Sequence, residues 1–341
     1  MNPLITIRTL TDGGQTAGDV ARAIAGFIDG AERTLLLAQY DFDLRPETAE
    51  VVGGAIRRAA ARGVQIRLAY NVDHARPVSV PPPPSPDEDL IASLPVEALP
   101  IAGVPDLMHH KYMVRDGSTV WTGSTNWSDD AWMRQENVIA VVDSAAIAAE
   151  FQHDFEQIVR GGAASGTGRI EPEWHDGIRA WFTPGHGEDL SHRIALAIGQ
   201  ARRRVRICSP VLTTPPVLGA VSAVAAGGRL DLGGCVDAPQ MADAARQWLE
   251  SRGAWKIPLL RRISPRFSAK HSTPYGAGDV HDFMHAKITV ADDTVFLGSF
   301  NLSRSGERNA ENVLEIADPD LAEQLAAFVD SVRARYDPYV V

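Results

Sequence analysis

The chain carries one polar pattern twice, and any fold for it must give both copies equivalent places. The first copy runs His109-His110-Lys111, Asp116, Gly123-Ser124-Thr125-Asn126, then Glu136-Asn137. The second runs His285-Ala286-Lys287, Asp292, Gly298-Ser299-Phe300-Asn301, then Glu311-Asn312. The His–Lys–Asp and Asn–Glu intervals are identical, and only the Asp–Gly interval differs, by one residue. A lone His-x-Lys says nothing. Two copies agreeing at this many positions are a duplication.

The residues around each copy repeat as well. Val20, Ile24, Phe27 and Ile28 have helical spacing and lead into an apolar strand over 34–38; Leu190, Ile194, Leu196 and Ile198 lead likewise into a strand over 205–208. A helix over 47–62 feeds a strand over 64–70, and a helix over 215–226 feeds one over 229–235. Closing helices are predicted over 144–160 and 319–336. Strands alternating with helices imply an α/β protein of two similar α/β/α lobes, each a mainly parallel sheet flanked by helices, packed pseudo-symmetrically face to face. The N-terminal lobe is placed at 1–162, a linker at 163–172 and the C-terminal lobe at 173–341. The Gly- and Ala-rich run 161–168 reads as a flexible connector.

Composition permits this and excludes other classes. The chain has 341 residues, 45% apolar and 22% charged, enough for two cored lobes and unlike disordered, collagen-like or coiled-coil proteins. Acidic residues outnumber basic ones, 43 to 33, for a net charge of −10, so a whole-surface basic field for nucleic acid is absent. Cys208 and Cys235 form no Cys-x-x-Cys pair, which argues against zinc or a disulfide framework. No secretory leader and no run of apolar residues long enough to span a bilayer is visible, so a cytoplasmic protein without a transmembrane segment is expected.

The repeated pattern has chemical content. Residues two apart on a strand share a face, so His109 and Lys111 point together, as do His285 and Lys287. Met108, His110, Tyr112, Met284, Ala286 and Ile288 then back them. Gly123 and Gly298 are expected to let the backbone approach a bound anion, with the Ser124 and Ser299 hydroxyls and the Asn126 and Asn301 amides as neutral donors. Two imidazoles, two ammoniums and two carboxamides around one point suit a phosphodiester. One ring attacks phosphorus while the other protonates the leaving oxygen, and the lysines stabilise the charge. Glu136 and Glu311 are candidates to orient the histidines. Asp116 and Asp292 are read as turn residues. No metal-ligand cluster or cofactor motif appears, so neither is expected.

Other features are open between two readings. Tyr40, Asp41 and Asp43 follow a strand end and either line the cleft or form a turn. His281 and Asp282 are read as loop polarity, and Trp121, Trp127 and Trp132 as core rather than a base-stacking platform. The Pro81–Pro84 run and residues 94–105, within a Pro-rich stretch over 76–105, form a stiff surface spacer or a cleft wall. Lys256, Arg261, Arg262, Arg266 and Lys270 read as solvated surface or a phosphate-binding patch.

The two copies resemble the HKD motif of the phospholipase D superfamily, and with the repeat around them the resemblance covers essentially the whole chain. It implies a metal-independent phosphodiesterase or transphosphatidylase working through a covalent phosphohistidine. By the same resemblance His109 is the nucleophile and His285 the general acid, or the reverse, since the halves are near-symmetric. The segment MHHKYMVRDGSTVWTGSTNWS resembles the nuclease-like branch and MHAKITVADDTVFLGSFNLS the lipid-synthase branch. The expected substrate is a phospholipid, reached through peripheral membrane contact; a single-strand-preferring endonuclease is the alternative. A non-catalytic phosphate-binding scaffold is disfavoured because neither motif has lost a residue. Both motifs lie in one chain, so a monomer would suffice.

Overall fold

The computed structural model describes residues 4–72, 86–274 and 280–341. The N-terminal lobe begins with β1 (Leu4–Leu10), α1 (Ala17–Asp29), β2 (Thr34–Gln39), β3 (Phe42–Asp43), α2 (Pro46–Ala61) and β4 (Gln65–Asn71). It continues with α3 (Glu88–Ala92), β5 (Glu97–Ile101), β6 (Lys111–Arg115), β7 (Thr119–Gly123) and β8 (Trp127–Ser128). It closes with α4 (Asp129–Met133), β9 (Asn137–Asp143) and α5 (Ala145–Gly161).

The C-terminal lobe repeats the plan. Its first elements are β10 (Ile178–Thr183), α6 (Gly187–Gln200), β11 (Arg204–Cys208), α7 (Pro215–Gly227) and β12 (Asp231–Asp237). Then come α8 (Ala238–Leu249), α9 (Ile257–Ile263), β13 (Phe267–Lys270), β14 (Ile288–Ala291) and β15 (Thr294–Gly298). The last are α10 (Arg304–Arg308), β16 (Glu311–Ala317) and α11 (Pro319–Arg335). The strand orders, β1-β9-β7-β6-β2-β4-β5 and β10-β16-β15-β14-β11-β12-β13, superpose element for element.

The expected two-lobed α/β design holds, with a difference in strand direction. In each seven-stranded sheet the helix-connected strands pair in parallel (β2–β4–β5, β11–β12–β13), while the other pairings within it are antiparallel; β3 and β8 form a separate parallel pair. The sheets are therefore mixed. The cause is local: the Asp116-Gly117 and Asp292-Asp293 turns are too short for a crossover and force hairpins. Asp116 and Asp292 take positive φ, 54° and 51°, and behave as the turn residues expected of them. Asp116 accepts N–H groups of Glu32, Arg33 and Thr34 at 3.0, 2.7 and 2.9 Å. Asp292 does the same for Arg202, Arg203 and Arg204 at 2.8, 2.9 and 3.0 Å.

One apolar core joins the lobes. α5 contributes Ile147, Phe151, Phe155 and Ile158, and α11 contributes Leu321, Leu325, Phe328 and Val332, to a cluster that also takes in the inner faces of both sheets. Phe151 meets Tyr112 of its own lobe and Phe182 of the other, each at 5.0 Å between ring centroids in edge-to-face geometry. α1 and α2 cover the outer face of one sheet; α6, α7 and α9 cover the other. The run read as a flexible connector is packed: Ala164 and Thr167 are buried, and the Thr167 hydroxyl donates to the Ala164 carbonyl at 2.7 Å. Among the described residues no helix is long and apolar enough to cross a membrane.

Candidate active site

Each motif histidine stands just before its strand, where the chain bridges to the other lobe. Met108 pairs with Ala310, and Met284 with Glu136. The His109 N–H donates to the Ala310 carbonyl at 2.9 Å, and the His285 N–H to the Glu136 carbonyl at 3.2 Å. The alternation inferred from sequence still holds, since Met108, His110, Tyr112, Met284 and Ala286 are fully buried on the far side. Asn71 and Asp237, at the ends of the equivalent strands β4 and β12, accept the N–H groups of Met108 and Met284 at 3.0 Å each. The motif intervals do not point to these two anchors, although they occupy matching places in the repeat.

Both imidazoles line a single cavity of about 560 Å³, together with Asn126 and Asn301. Behind the rings, the Lys111 Nζ donates to the His109 carbonyl at 2.6 Å and the Lys287 Nζ to the His285 carbonyl at 2.7 Å. All four groups are buried. Desolvation, then the Lys111 and Lys287 charges, hold the His109 ring well below the ordinary imidazole range; burial, then Lys287 and Lys111, do the same to His285. Burial pushes Lys111 down to about 7 and Lys287 well below its ordinary value. An anion entering the cavity would oppose every one of these shifts. The side-chain oxygens of Asn126 and Asn301 are buried without a hydrogen-bond partner, so both carboxamides keep capacity for a ligand.

The lobes differ in what orients each ring. His109 Nδ1 lies 2.8 Å from Glu311 Oε2, a carboxylate donated by the opposite lobe. His285 Nδ1 lies 3.1 Å from Asn137 Oδ1, a neutral amide. Burial pushes the Glu311 carboxyl up to about 7. Glu136, expected to orient a histidine, does not carry one: Lys270 Nζ sits 3.0 Å from its Oε2, and the Tyr336 hydroxyl donates to its Oε1. Lys270 belongs to the basic group read as surface or phosphate patch, yet it is buried and neutralised here, with Asp12 at 3.2 Å.

Two more expectations are corrected. The Ser124 hydroxyl donates to Asn137 Oδ1 at 2.7 Å and accepts from the Val138 N–H at 3.0 Å, and the Ser299 hydroxyl accepts from the Asn312 N–H at 3.0 Å. Both serines are fully buried and line no part of the cavity; the Ser124 hydroxyl holds the amide that orients His285 and the Ser299 hydroxyl the carboxylate that orients His109, and their backbones hydrogen-bond the His285 and His109 rings. Gly123 and Gly298 make room for protein rather than for an anion. A Cβ on Gly123 would lie 2.1 Å from the Val138 carbonyl oxygen, and one on Gly298 2.1 Å from that of Asn312.

The remaining features divide cleanly. His110 is a core group: the Asn312 amide donates to its Nδ1 at 3.0 Å, and its Nε2 lies 3.1 Å from Asp154. Trp121, Trp127 and Trp132 are core. Tyr40 and Asp41 line the cavity and Asp43 does not. His281 lines it as well, whereas Asp282 caps the Thr273 N–H at 2.7 Å. Residues 94–105 hold the edge strand β5 and no cavity wall, and Pro81–Pro84 lies outside the described residues. Lys256 donates to the Thr213 carbonyl at 3.1 Å, so it too is engaged by the fold.

A family described as "Cardiolipin synthase, PLD-like domain" matches residues 24–159 and again 194–333. The mitochondrial cardiolipin hydrolases of Xenopus laevis and Xenopus tropicalis are each 39% identical over 51 residues, 15% of this chain. The match spans about a quarter of the length of those relatives, 24%. Among solved structures, phosphatidylserine synthase of Haemophilus influenzae Rd KW20 has a TM-score of 0.66 at 13% identity, over 98% of this chain and 88% of that one. Polyphosphate kinase of Porphyromonas gingivalis has a TM-score of 0.62 at 13% identity, over 97% of this chain and 47% of that one. At such identities the two structures are likenesses of fold.

Proposed function

We propose a function from one premise: the chain belongs to the family of cardiolipin synthase, PLD-like domains. The protein is a phosphodiesterase that acts on a phospholipid through a phosphohistidine on His109. The observation that carries this reading is the unequal support of two rings facing one cavity, a carboxylate behind His109 and an amide behind His285.

Glu311 accepts the Nδ1 proton of His109 and leaves Nε2 free as the nucleophile. Nε2 forms a bond to phosphorus as the bond from phosphorus to the leaving alcohol oxygen breaks. That oxygen takes its proton from His285. The carboxylate also opposes the positive charge that develops on the phosphorylated ring, which an amide does less well, and this favours His109 over His285 for the covalent role. Water then gives a proton to His285 and attacks phosphorus, and the bond to Nε2 breaks. An alcohol in place of water yields an exchanged diester. The Asn126 and Asn301 carboxamides, on the cavity wall, donate Nδ2 N–H groups to the equatorial oxygens, while Lys111 and Lys287, behind the rings, oppose the phosphoryl charge at longer range.

A lipid fits the cavity better than a nucleic acid. Tyr40, Pro210, Pro239, Pro274 and Phe283 supply apolar wall, and no lysine or arginine lines it among the described residues. A polyanionic strand needs cations along its track. The family description and the cardiolipin hydrolase relatives point the same way.

The test is a trapping experiment with 4-nitrophenyl phosphodiesters, whose leaving group needs no proton. His285→Ala should accumulate phosphate on His109 under alkaline quench, and His109→Ala should accumulate none. Vesicles of phosphatidylethanolamine and single-stranded DNA, each with excess chelator, then divide the substrate classes. Label on His285, or faster cleavage of DNA than of lipid, would overturn the reading.

A further inference from the structure

Three carboxylates line the cavity, and the fold uses two of them. Asp237 accepts the N–H groups of Gln240 and Met284 at 3.3 and 3.0 Å. Asp243 is paired with Arg246 at 2.5 Å. The third, Asp41, is 5% exposed, and its Oδ1 is buried with no hydrogen-bond partner. A buried carboxylate left this way is costly unless a ligand completes it. Lys111, whose charge acts on Asp41, gives it no hydrogen bond: its Nζ is committed to the His109 carbonyl at 2.6 Å and stands over the Tyr40 ring, 4.7 Å from its centroid.

The fold does not require a charge at this position. β2 and β11 are equivalent, and Ala38 pairs with Tyr112 where Cys208 pairs with Ile288. Counting on from these residues, the place of Asp41 is taken by Val211 in the C-terminal lobe. Asp41 is thus a departure from the internal symmetry, beside the reacting centre: Tyr40, next in the chain, has its ring centroid 4.6 Å from that of His109.

We propose that Asp41 is a specificity-determining residue that receives a primary ammonium on the alcohol portion of the diester, making amino-alcohol phosphodiesters the preferred substrates. An ammonium offers both the N–H donor that the orphaned oxygen lacks and the charge that the carboxylate needs. The wall around it agrees, with carboxylates and without lysine or arginine among the described lining residues. Burial, then the neighbouring Asp43, pushes Asp41 up to about 7, a strain that a bound cation relieves.

The inference rests on the diesterase reading above, so its test carries an arm that needs no turnover. In the first arm, kcat/KM is compared for hexyl 2-aminoethyl phosphate and hexyl propyl phosphate, whose short alcohols match in length, by the release of 2-aminoethanol or propanol. The expected preference for the aminoethyl diester is about tenfold or more. Asp41→Asn, and Asp41→Val as the residue of the other lobe, should each bring the ratio to within about threefold of one. Working with a ratio cancels any change that these substitutions impose on Lys111 or His109. In the second arm, calorimetry compares binding of 2-aminoethylphosphonate and propylphosphonate. A ratio near one in the unaltered protein, or one unchanged in both variants, would overturn the role of Asp41. Absence of turnover with the binding preference intact, and lost in Asp41→Asn, would overturn the diesterase reading and leave the ammonium site standing.

Discussion

Replacing Glu311 by Gln isolates the asymmetry on which the assignment of roles depends. The carboxylate lies 2.8 Å from His109 Nδ1 and is fully buried. With charge centres about 4 Å apart and an effective dielectric of about 20, a phosphorylated, positively charged ring gains about 4 kcal/mol from it. Glutamine keeps the shape and returns about 1 kcal/mol through a neutral hydrogen bond. The difference of about 3 kcal/mol corresponds to a roughly 100-fold slower phosphorylation step. The step is read as the single-turnover release of 4-nitrophenolate. Glu136→Gln is the matched control, because the same exchange in the other motif touches Lys270 and Tyr336 rather than a histidine ring. It should slow the step less than about threefold while lowering stability, since it leaves Lys270 buried with a weaker partner. Equal slowing by the two variants, or a larger effect from Glu136→Gln, would refute the argument that Glu311 alone serves the nucleophile.

The pH dependence follows from the buried pairs. In the free protein His109 must be neutral to attack, which holds above its lowered value, and His285 must be charged to donate, which holds only below its own lowered value. Lys111 adds a loss of cation as pH rises through about 7. The kcat/KM profile should therefore peak on the acidic side of the ordinary imidazole value. Its falling limb should lie at lower pH than that of kcat, because a bound anion raises His285; a kcat/KM rising through pH 8 would refute this. For the motif glycines, Gly298→Ala sets a Cβ 2.1 Å from the Asn312 oxygen and should cost about 2–3 kcal/mol in urea unfolding. Gly26→Ala, exposed in α1 with nothing within 4 Å, should instead add about 0.5–1 kcal/mol; the reverse order of the two would refute the steric reading.

Much of the fold was readable because periodicity reports burial directly. The helix expected over 47–62 runs Pro46–Ala61, and the closing helices expected over 144–160 and 319–336 run Ala145–Gly161 and Pro319–Arg335. Strand direction was less legible, because an apolar run looks the same whichever way it pairs. The information lay in the short turns at Asp116 and Asp292, where a positive φ and three accepted N–H groups fix a hairpin. The connector misled for a related reason. Gly and Ala suit a flexible chain, but they also suit a segment pressed against another backbone, as at Gly168, where a Cβ would fall 2.7 Å from the Thr183 carbonyl.

In the site, repetition shows which residues correspond but not which lobe each one serves. The residues matched by their intervals separate in the structure: His109, His285, Asn126 and Asn301 share one cavity, and Lys111 and Lys287 stand behind the rings. Gly123, Ser124, Gly298 and Ser299 recur equally faithfully, yet the glycines make room for a neighbouring strand and the serines hold the groups that orient the rings, because duplication preserves folding and chemistry alike. The exchange across the interface is invisible in sequence. His109 takes its carboxylate from Glu311 and its backbone partner from Ala310; His285 takes its amide from Asn137 and its backbone partner from Glu136. Each lobe therefore supplies a ring that only the other lobe can aim. The same exchange gives two near-identical halves different ring partners, a carboxylate for His109 and an amide for His285. Lys270 and Tyr336 occupy Glu136, His285 is left with an amide, and the symmetry of the motifs is broken at the place where the proposed acid and nucleophile have to differ.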